Sequence, residues 1–119
     1  MATHNELGKK GEELAVELLQ KNGYTILECN WRYKKAEVDI IALKNDILAV
    51  IEVKTRTSNY FGNPQDFVNQ KKIQLLVEAI NEYVTSKDLN IEVRFDIIAI
   101  LKNKNNFNIE HLEDAFLYF

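Results

Sequence analysis

The chain has 119 residues, a length that predicts a single domain over residues 1–119 with one hydrophobic core. It is 46% hydrophobic and 28% charged, as expected of a globular protein in water, and no apolar run is long enough for a membrane span or a signal peptide. A single cysteine excludes an intramolecular disulfide, and with only two histidines it argues against a zinc site. These features favour a cytoplasmic protein with no membrane partner.

The charge is distributed unevenly. The net charge of −3 argues against a general nucleic-acid binder. Residues 31–72 nevertheless hold eight of the 15 basic residues and only five of the 18 acidic ones, which gives that segment a net charge of +3. Chance clustering on a solvated face explains this as well as a binding surface does.

The pattern of apolar residues predicts an α/β fold. A first helix is expected over about 6–22, where apolar residues recur at helical spacing and Gly23 follows as a stop. Further along we expect strands at 24–32, 37–43 and 47–56 and a buried strand at 91–101. Between them a helix is expected at about 65–85, with Asn63 as its cap and Pro64 as its first helical residue. The tail after residue 106 is compatible with a strand, a helix or both. The order α-β-β-β-α-β-(β/α) predicts a mixed sheet flanked by helices, with the second helix crossing over to a parallel strand.

Charged residues interrupt the hairpin formed by the second and third strands. A two-residue turn at Asn45-Asp46, with side chains alternating between faces in both strands, places Asp39 directly opposite Glu52. Lys54 falls on the same face. Opposed carboxylates repel each other, so at least one is predicted to have a raised pKa.

Two convergent carboxylates form a site for a hard divalent cation, Mg²⁺ or Mn²⁺. Such a cation, with an amine beside it, suits phosphodiester hydrolysis, and the pattern D-x₁₂-E-x-K therefore predicts a nuclease site with Asp39, Glu52 and Lys54 as catalytic residues. The alternative is a structural ion cluster in which Lys54 bridges Glu37 and Glu52.

Two further charged residues are candidates for the same site. Glu12 lies on the flank of the apolar stripe of the first helix, whereas Glu13 faces water, so Glu12 is the predicted helical member. Glycines at 8 and 11 would let a neighbouring backbone or a substrate strand approach this helix closely. Lys72 lies in the apolar stripe of the second helix and is either a boundary lysine reaching solvent or a site residue directed toward the hairpin.

These motifs together resemble a known family. The resemblance rests on Gly8, Gly11-Glu12, Ala15, Gly23-Tyr24, Asn30, Arg32, "AEVDIIA", "VIEVKTR", "FGNP", Lys72 and "RFDIIAI". They resemble the YraN-like family of uncharacterised bacterial proteins, which is similar to the Holliday junction resolvases and the PD-(D/E)XK nuclease superfamily. The resemblance implies a restriction-endonuclease-like fold, with Glu12, Asp39 and Glu52 as metal ligands and Lys54 as the catalytic lysine. The chain departs from the family at Ala36, where a glycine is usual.

Three functions follow as hypotheses. The first is a Mg²⁺-dependent endonuclease acting on DNA, branched or otherwise structured, for which a homodimer would suit a two-fold junction. The second is a non-catalytic module that binds nucleic acid through phosphates; in either case the residues predicted to contact nucleic acid are Arg32, Lys34, Lys35, Arg56 and Lys72. The third is a protein-interaction domain that uses exposed aromatic anchors, namely Trp31, Tyr33, Tyr60 and Phe61.

Overall fold

Two helices and five strands make up residues 4–57 and 69–115, the part of the chain that the computed structural model describes. In chain order they are α1 (His4–Lys21), β1 (Thr25–Tyr33), β2 (Ala36–Lys44), β3 (Ile47–Arg56), α2 (Gln70–Ser86), β4 (Glu92–Asn103) and β5 (Asn106–Leu112). The predicted α/β order is confirmed, and the ambiguous tail begins as a strand. Neither described helix is long and apolar enough to cross a membrane.

The strands form one mixed sheet in sequential order, β1-β2-β3-β4-β5. Only β3 and β4 run parallel, from the pair Ile47 and Glu92 to the pair Arg56 and Leu101, and the other neighbours are antiparallel. A parallel pair needs a long connection, and α2 lies within it, as the sequence predicted. The sheet therefore has the mixed topology that the family resemblance implied.

Each face of the sheet carries its own hydrophobic core. Strand β3 supplies both, because its side chains alternate: Leu48 and Val50 belong to the α2 side, and Ala49 and Ile51 to the α1 side. From the helices, Leu76, Ile80 and Tyr83 of α2 complete the first core, and Ala15 and Leu19 of α1 complete the second. Burial on both faces explains why β3 reads as an almost continuous apolar run.

The start of α2 differs from the prediction. Asn69 is extended, with φ −88° and ψ 172°, and its side chain accepts a hydrogen bond from the Lys72 N–H at 2.8 Å. The helix therefore begins at Gln70, because Asn69 acts as its N-cap, and the predicted start at residue 65 is wrong. The predicted cap at Asn63-Pro64 lies outside the described residues. The shift places Lys72 in the first turn of α2.

A buried polar network joins β4 to β5. Asp96 is fully buried and accepts two hydrogen bonds from Arg94, both at 2.9 Å, and one from the Asp114 N–H at 3.0 Å. The His111 Nε2 lies 2.8 Å from the same carboxylate. Burial alone would raise the pKa of Asp96, but hydrogen bonds from His111, Arg94 and the Asp114 N–H more than offset it, and the pKa is lowered. Arg94 and Asp96 of the "RFDIIAI" motif thus stabilise the sheet.

Candidate functional site

The hairpin turn sets the positions of the two central carboxylates. Paired residues run from Lys44 and Ile47 to Ile40 and Ile51, so the predicted two-residue turn at Asn45-Asp46 is confirmed. The backbone pairing stops there, one position short of Asp39 and Glu52. The Asp39 Oδ2 instead accepts a hydrogen bond from the Val53 N–H at 2.8 Å. The Asp39 carboxylate therefore takes the place of a backbone partner and is fixed against β3.

The alternation of faces in β2 shifts by one residue at this point. Val38 and Ile41, three positions apart, both belong to the α2-side core, whereas Ile40 belongs to the α1 side. On β1, Asn30 lies between the partners of Val38 and Ile40 and has φ 54°, a left-handed conformation that asparagine tolerates. The strict alternation predicted for β2 is wrong here, because the strand is irregular beside Asn30. The irregularity turns Asp39 toward the backbone of β3.

Glu52 is the buried carboxylate of the site. It is 3% exposed, and its Oε1 has no hydrogen-bond partner among residues 4–57 and 69–115. Its Oε2 lies 3.4 Å from the Lys72 Nζ. Burial raises the pKa of Glu52 to about 8, with further contributions from the charge of Asp39 and a hydrogen bond to it, opposed by Lys72 and Lys54. The predicted raised pKa in this pair is thus confirmed. Of the two alternatives for Lys72, its contact with Glu52 supports the side chain directed toward the hairpin.

Lys54 lies two residues beyond Glu52 on β3 and is half-buried. Its pKa is lowered, first by burial and then by the positive charge of Lys72, while Glu52 and Asp39 act in the opposite direction. Such an amine holds its proton less firmly than a solvated lysine does. Lys54 is therefore chemically suited to act on a water molecule or a phosphate oxygen.

These side chains line one cleft of about 410 Å³ between the hairpin and α2. Three carboxylates and three amines contribute to its wall: Glu37, Asp39, Glu52, Lys35, Lys54 and Lys72. Leu75 and Leu76 of α2 form an apolar side. A cleft of mixed charge with an apolar wall suits a ligand that is partly charged and partly apolar.

A model of a protein family matches the part of the chain that forms this cleft. The model of the uncharacterised protein family UPF0102 matches residues 11–100, which include the whole hairpin, α2 and most of β4. The chain belongs to the UPF0102 family. It is 64% identical to the UPF0102 protein of Flavobacterium psychrophilum and 64% identical to that of Christiangramia forsetii, in each case over the full length of both chains. The UPF0102 protein of Parabacteroides distasonis is 44% identical over 98% of this chain and 96% of its own.

In this UPF0102 protein Glu12 lies beside Asp39 but does not line the cleft. Glu12 is half-buried and Glu13 is exposed, as the helical angle predicted. The pKa of Glu12 is raised by burial, then by the charge of Asp39 and more weakly by Glu37, while a hydrogen bond with Asn30 lowers it. Glu12 lines a separate groove of about 540 Å³ on the α1 side of the sheet. Asp39 thus lies between Glu12 and Glu52.

The donor set fits a divalent cation at two carboxylates rather than three. Within the described ranges, no three His, Cys, Asp or Glu side chains are close enough to hold a metal ion. The predicted ligand set of Glu12, Asp39 and Glu52 is therefore not assembled in this conformation. Asp39 and Glu52 do form an oxygen-rich pair, and the unpartnered Glu52 Oε1 is the atom that a hard cation would satisfy. Water and substrate oxygens would complete the shell.

The five residues predicted to bind nucleic acid have different surroundings. Lys35 and Lys72 line the cleft. Arg32 forms an ion pair with Glu37 at 2.7 Å, and Lys34 one with Glu78 at 3.2 Å, both on the surface. Arg56 is half-buried and donates to the Thr55 carbonyl.

The sequence analysis did not identify every residue that shapes the site. Asn30 hydrogen-bonds Glu12 and accompanies the shift at Asp39. An asparagine within a predicted strand was the available signal, because asparagine is a poor strand former that tolerates positive φ. The role of the Val53 N–H could not be predicted from the sequence, since every strand residue has a backbone N–H.

The aromatic residues proposed as interaction anchors give little support to a protein-binding surface. Trp31 is half-buried and packs edge-on against Tyr83, with ring centroids 5.2 Å apart. Tyr33 stacks on Trp31 at 6.2 Å. Tyr60 and Phe61 lie outside the described residues.

Proposed function

We propose that this UPF0102 protein is a divalent-metal-dependent nuclease that hydrolyses phosphodiester bonds in DNA, with its active site in the cleft between the hairpin and α2. Glu52 carries the proposal. A structural ion cluster, the alternative raised by the sequence, would leave each buried charged atom with a partner. The Glu52 Oε1 has none in the part of the chain described, although the carboxylate is 3% exposed. A ligand explains such an atom better than a structural ion cluster does.

Each charged residue has a role in this mechanism. Asp39 and Glu52 would hold the cation, whose chemistry is to polarise a phosphoryl oxygen and to lower the pKa of bound water. Asp39 is held for this role by the Val53 N–H. The Lys54 amine can accept a proton from the attacking water or, when protonated, donate a hydrogen bond to the phosphate as charge develops on its oxygens.

The surroundings of the cleft favour a nucleic-acid substrate over a small anion. The basic segment 31–72 supplies all three amines in the cleft wall. Arg32 is exposed on β1 and Lys34 just after it, where phosphates of a longer nucleic-acid strand could compete with Glu37 and Glu78 for these basic side chains. We propose DNA of branched or otherwise structured form as the substrate, by analogy with the resolvases that the family resembles, and a homodimer as the form acting on a two-fold junction.

Cleavage assays test the proposal directly. Duplex, single-stranded, flapped and four-way-junction DNA would be incubated with Mg²⁺ or Mn²⁺ and with EDTA, alongside matched RNA. We expect metal-dependent cleavage by the wild type, a loss of about 100-fold or more in Glu52→Gln and Lys54→Met, and no loss in Glu13→Gln, which changes an exposed carboxylate of α1. Equal activity in wild type and Glu52→Gln would assign any cleavage to a contaminant.

A non-catalytic nucleic-acid-binding module is the second candidate. The lack of a three-ligand cluster among the described residues favours it. Binding of DNA that weakens with added salt and with loss of Lys35, but without cleavage in either metal, would support this module and overturn the nuclease proposal.

A further inference from the structure

Lys72 occupies an unfavourable position for an isolated lysine. It is the third residue of α2 after the Asn69 cap, and the first turn of a helix carries positive partial charge from its free N–H groups. Lys54, another cation, lies close enough for the charge of Lys72 to lower its pKa. The local electrostatics therefore disfavour an ammonium group here unless an anion compensates it.

Glu52 supplies the carboxyl group that contacts this ammonium. The Lys72 Nζ lies 3.4 Å from the Glu52 Oε2, and the Lys72 side chain keeps 35% of its surface exposed while that of Glu52 keeps 4%. The contact therefore joins a buried carboxylate to an ammonium group that reaches the mouth of the cleft. A divalent cation bound to Asp39 and to the Glu52 Oε1 would share this carboxylate with Lys72, and its charge would repel the nearby ammonium.

We propose that Lys72 is a positioning residue that acts as the internal counter-ion of Glu52 and competes with the divalent cation for it. This inference rests on the cation site of the proposed function. In the metal-free protein Lys72 keeps Glu52 paired. When a cation binds, Lys72 leaves the carboxylate, and its long side chain remains in the cleft wall, where a substrate phosphate can take the place of Glu52 as its partner.

Two consequences separate this role from a merely structural one. Removing the Lys72 charge should make the cation bind more tightly, since a competitor and a repulsive charge are both lost. It should also reduce the gain in DNA affinity that the cation produces, since the released ammonium is no longer available to a phosphate. A structural lysine would change neither quantity in this opposed way.

The test uses isothermal titration of the full chain with MnCl₂ in air-free buffer at pH 8.5, above the pKa of about 8 of Glu52. Lys72→Met keeps most of the side-chain length without the charge, Lys72→Arg keeps the charge, and Lys71→Met removes the neighbouring exposed lysine as a matched control. We expect the Kd for Mn²⁺ to fall about tenfold or more in Lys72→Met and to stay within about twofold of wild type in Lys72→Arg and Lys71→Met. Circular dichroism would verify that each variant is folded, and Lys72→Gln would replace the methionine variant if needed.

A second titration measures DNA binding by fluorescence anisotropy, using Ca²⁺ as a cation expected not to support cleavage. The Ca²⁺-induced gain in affinity should be smaller in Lys72→Met than in wild type and unchanged in Lys71→Met.

The outcomes distinguish this inference from the proposed function. If wild type and Lys72→Met bind Mn²⁺ with the same Kd, Lys72 does not compete and the inference is wrong, while the nuclease proposal stands. Binding of Mn²⁺ by Lys72→Met but not by wild type would support the competition and count against a metal-dependent activity of the native chain. If neither binds Mn²⁺, both proposals are overturned.

Discussion

Replacing Glu52 by glutamine should stabilise the protein, and increasingly so as the pH rises. The reason is the pKa of Glu52, which burial and Asp39 raise to about 8, whereas an unfolded glutamate titrates near 4.3. Between these two values the folded protein retains a proton that the unfolded chain releases. A group whose folded pKa is raised contributes stability that is lost as the pH rises toward that pKa. Glutamine resembles the protonated acid and does not titrate.

The size of the effect follows from the same two pKa values. A raised pKa costs about 1.4 kcal/mol of unfolding free energy for each pH unit between the unfolded and folded values. Across the window from the ordinary value of 4.5 to about 8, the largest cost is about 5 kcal/mol. Relaxation of the charged site and entry of water reduce it, so we expect Glu52→Gln to exceed wild type by about 2–4 kcal/mol at pH 8.5 and to match it within about 1 kcal/mol at pH 4.5.

Urea denaturation in the presence of EDTA measures this difference. Wild type, Glu52→Gln and Glu13→Gln would be unfolded at several pH values between 4.5 and 8.5, and the free energies compared at each pH. The exposed Glu13 serves as the matched control and should follow wild type. If the difference between wild type and Glu52→Gln does not change with pH, Glu52 is not a buried acid with a raised pKa, and the reasoning fails. Added Mn²⁺ should stabilise wild type at pH 8 but leave Glu52→Gln nearly unchanged.

Three further predictions follow from the packing and the polar contacts. Gly11→Ala should destabilise the protein by about 1–3 kcal/mol in urea denaturation, because an added Cβ would overlap a β3 side chain. Gly8→Ala should stabilise it by about 0.5–1 kcal/mol, because a Cβ at this position has no neighbouring atom within 4 Å. Equal effects would show that α1 packs differently. Asp96→Asn should cost about 3 kcal/mol at pH 7, because it leaves buried donors without their charged acceptor, and a cost below about 1 kcal/mol would contradict the network. Glu12→Gln should weaken Mn²⁺ binding in calorimetry less than Asp39→Asn does, because Glu12 acts only through its charge beside Asp39 and does not line the cleft, and Glu13→Gln should not weaken it. Equal losses in Glu12→Gln and Asp39→Asn would show that Glu12 is a direct ligand.

The hairpin could be predicted from the sequence because its signals are local and agree with one another. The two-residue turn and the apolar runs on both sides of it fix the pairing from Lys44 and Ile47 onward. The start of α2 could not be predicted, because Asn63 and Asn69 both precede residues that suit the first turn of a helix. Only the structure shows that the Asn69 side chain bonds the Lys72 N–H.

The contact of Asp39 with the Val53 N–H was beyond sequence reasoning for a different reason. It depends on the shift of faces in β2, and that shift accompanies the left-handed Asn30 on the neighbouring strand. An alternation of apolar and polar residues with a period of two predicts a regular strand. An irregularity that involves two strands at once leaves no periodic pattern in either sequence from which it could be predicted. Glu12 belongs to α1 and Glu52 faces α2, and these helices cover opposite faces of the sheet, so three carboxylates that a motif groups together line two separate cavities.

The two buried carboxylates of the sheet show what distinguishes a structural acid from a candidate catalytic one. Asp96 and Glu52 lie on adjacent strands and are 0% and 3% exposed. Asp96 accepts from Arg94 and the Asp114 N–H and contacts His111, and its pKa is lowered. Glu52 has one ammonium contact, a hydrogen bond with Asp39, one oxygen without a partner in the described chain, and a pKa raised to about 8. Since this sequence can satisfy a buried carboxylate on β4, the incomplete shell of Glu52 on β3 is better explained by a ligand than by a limit on what the fold can provide.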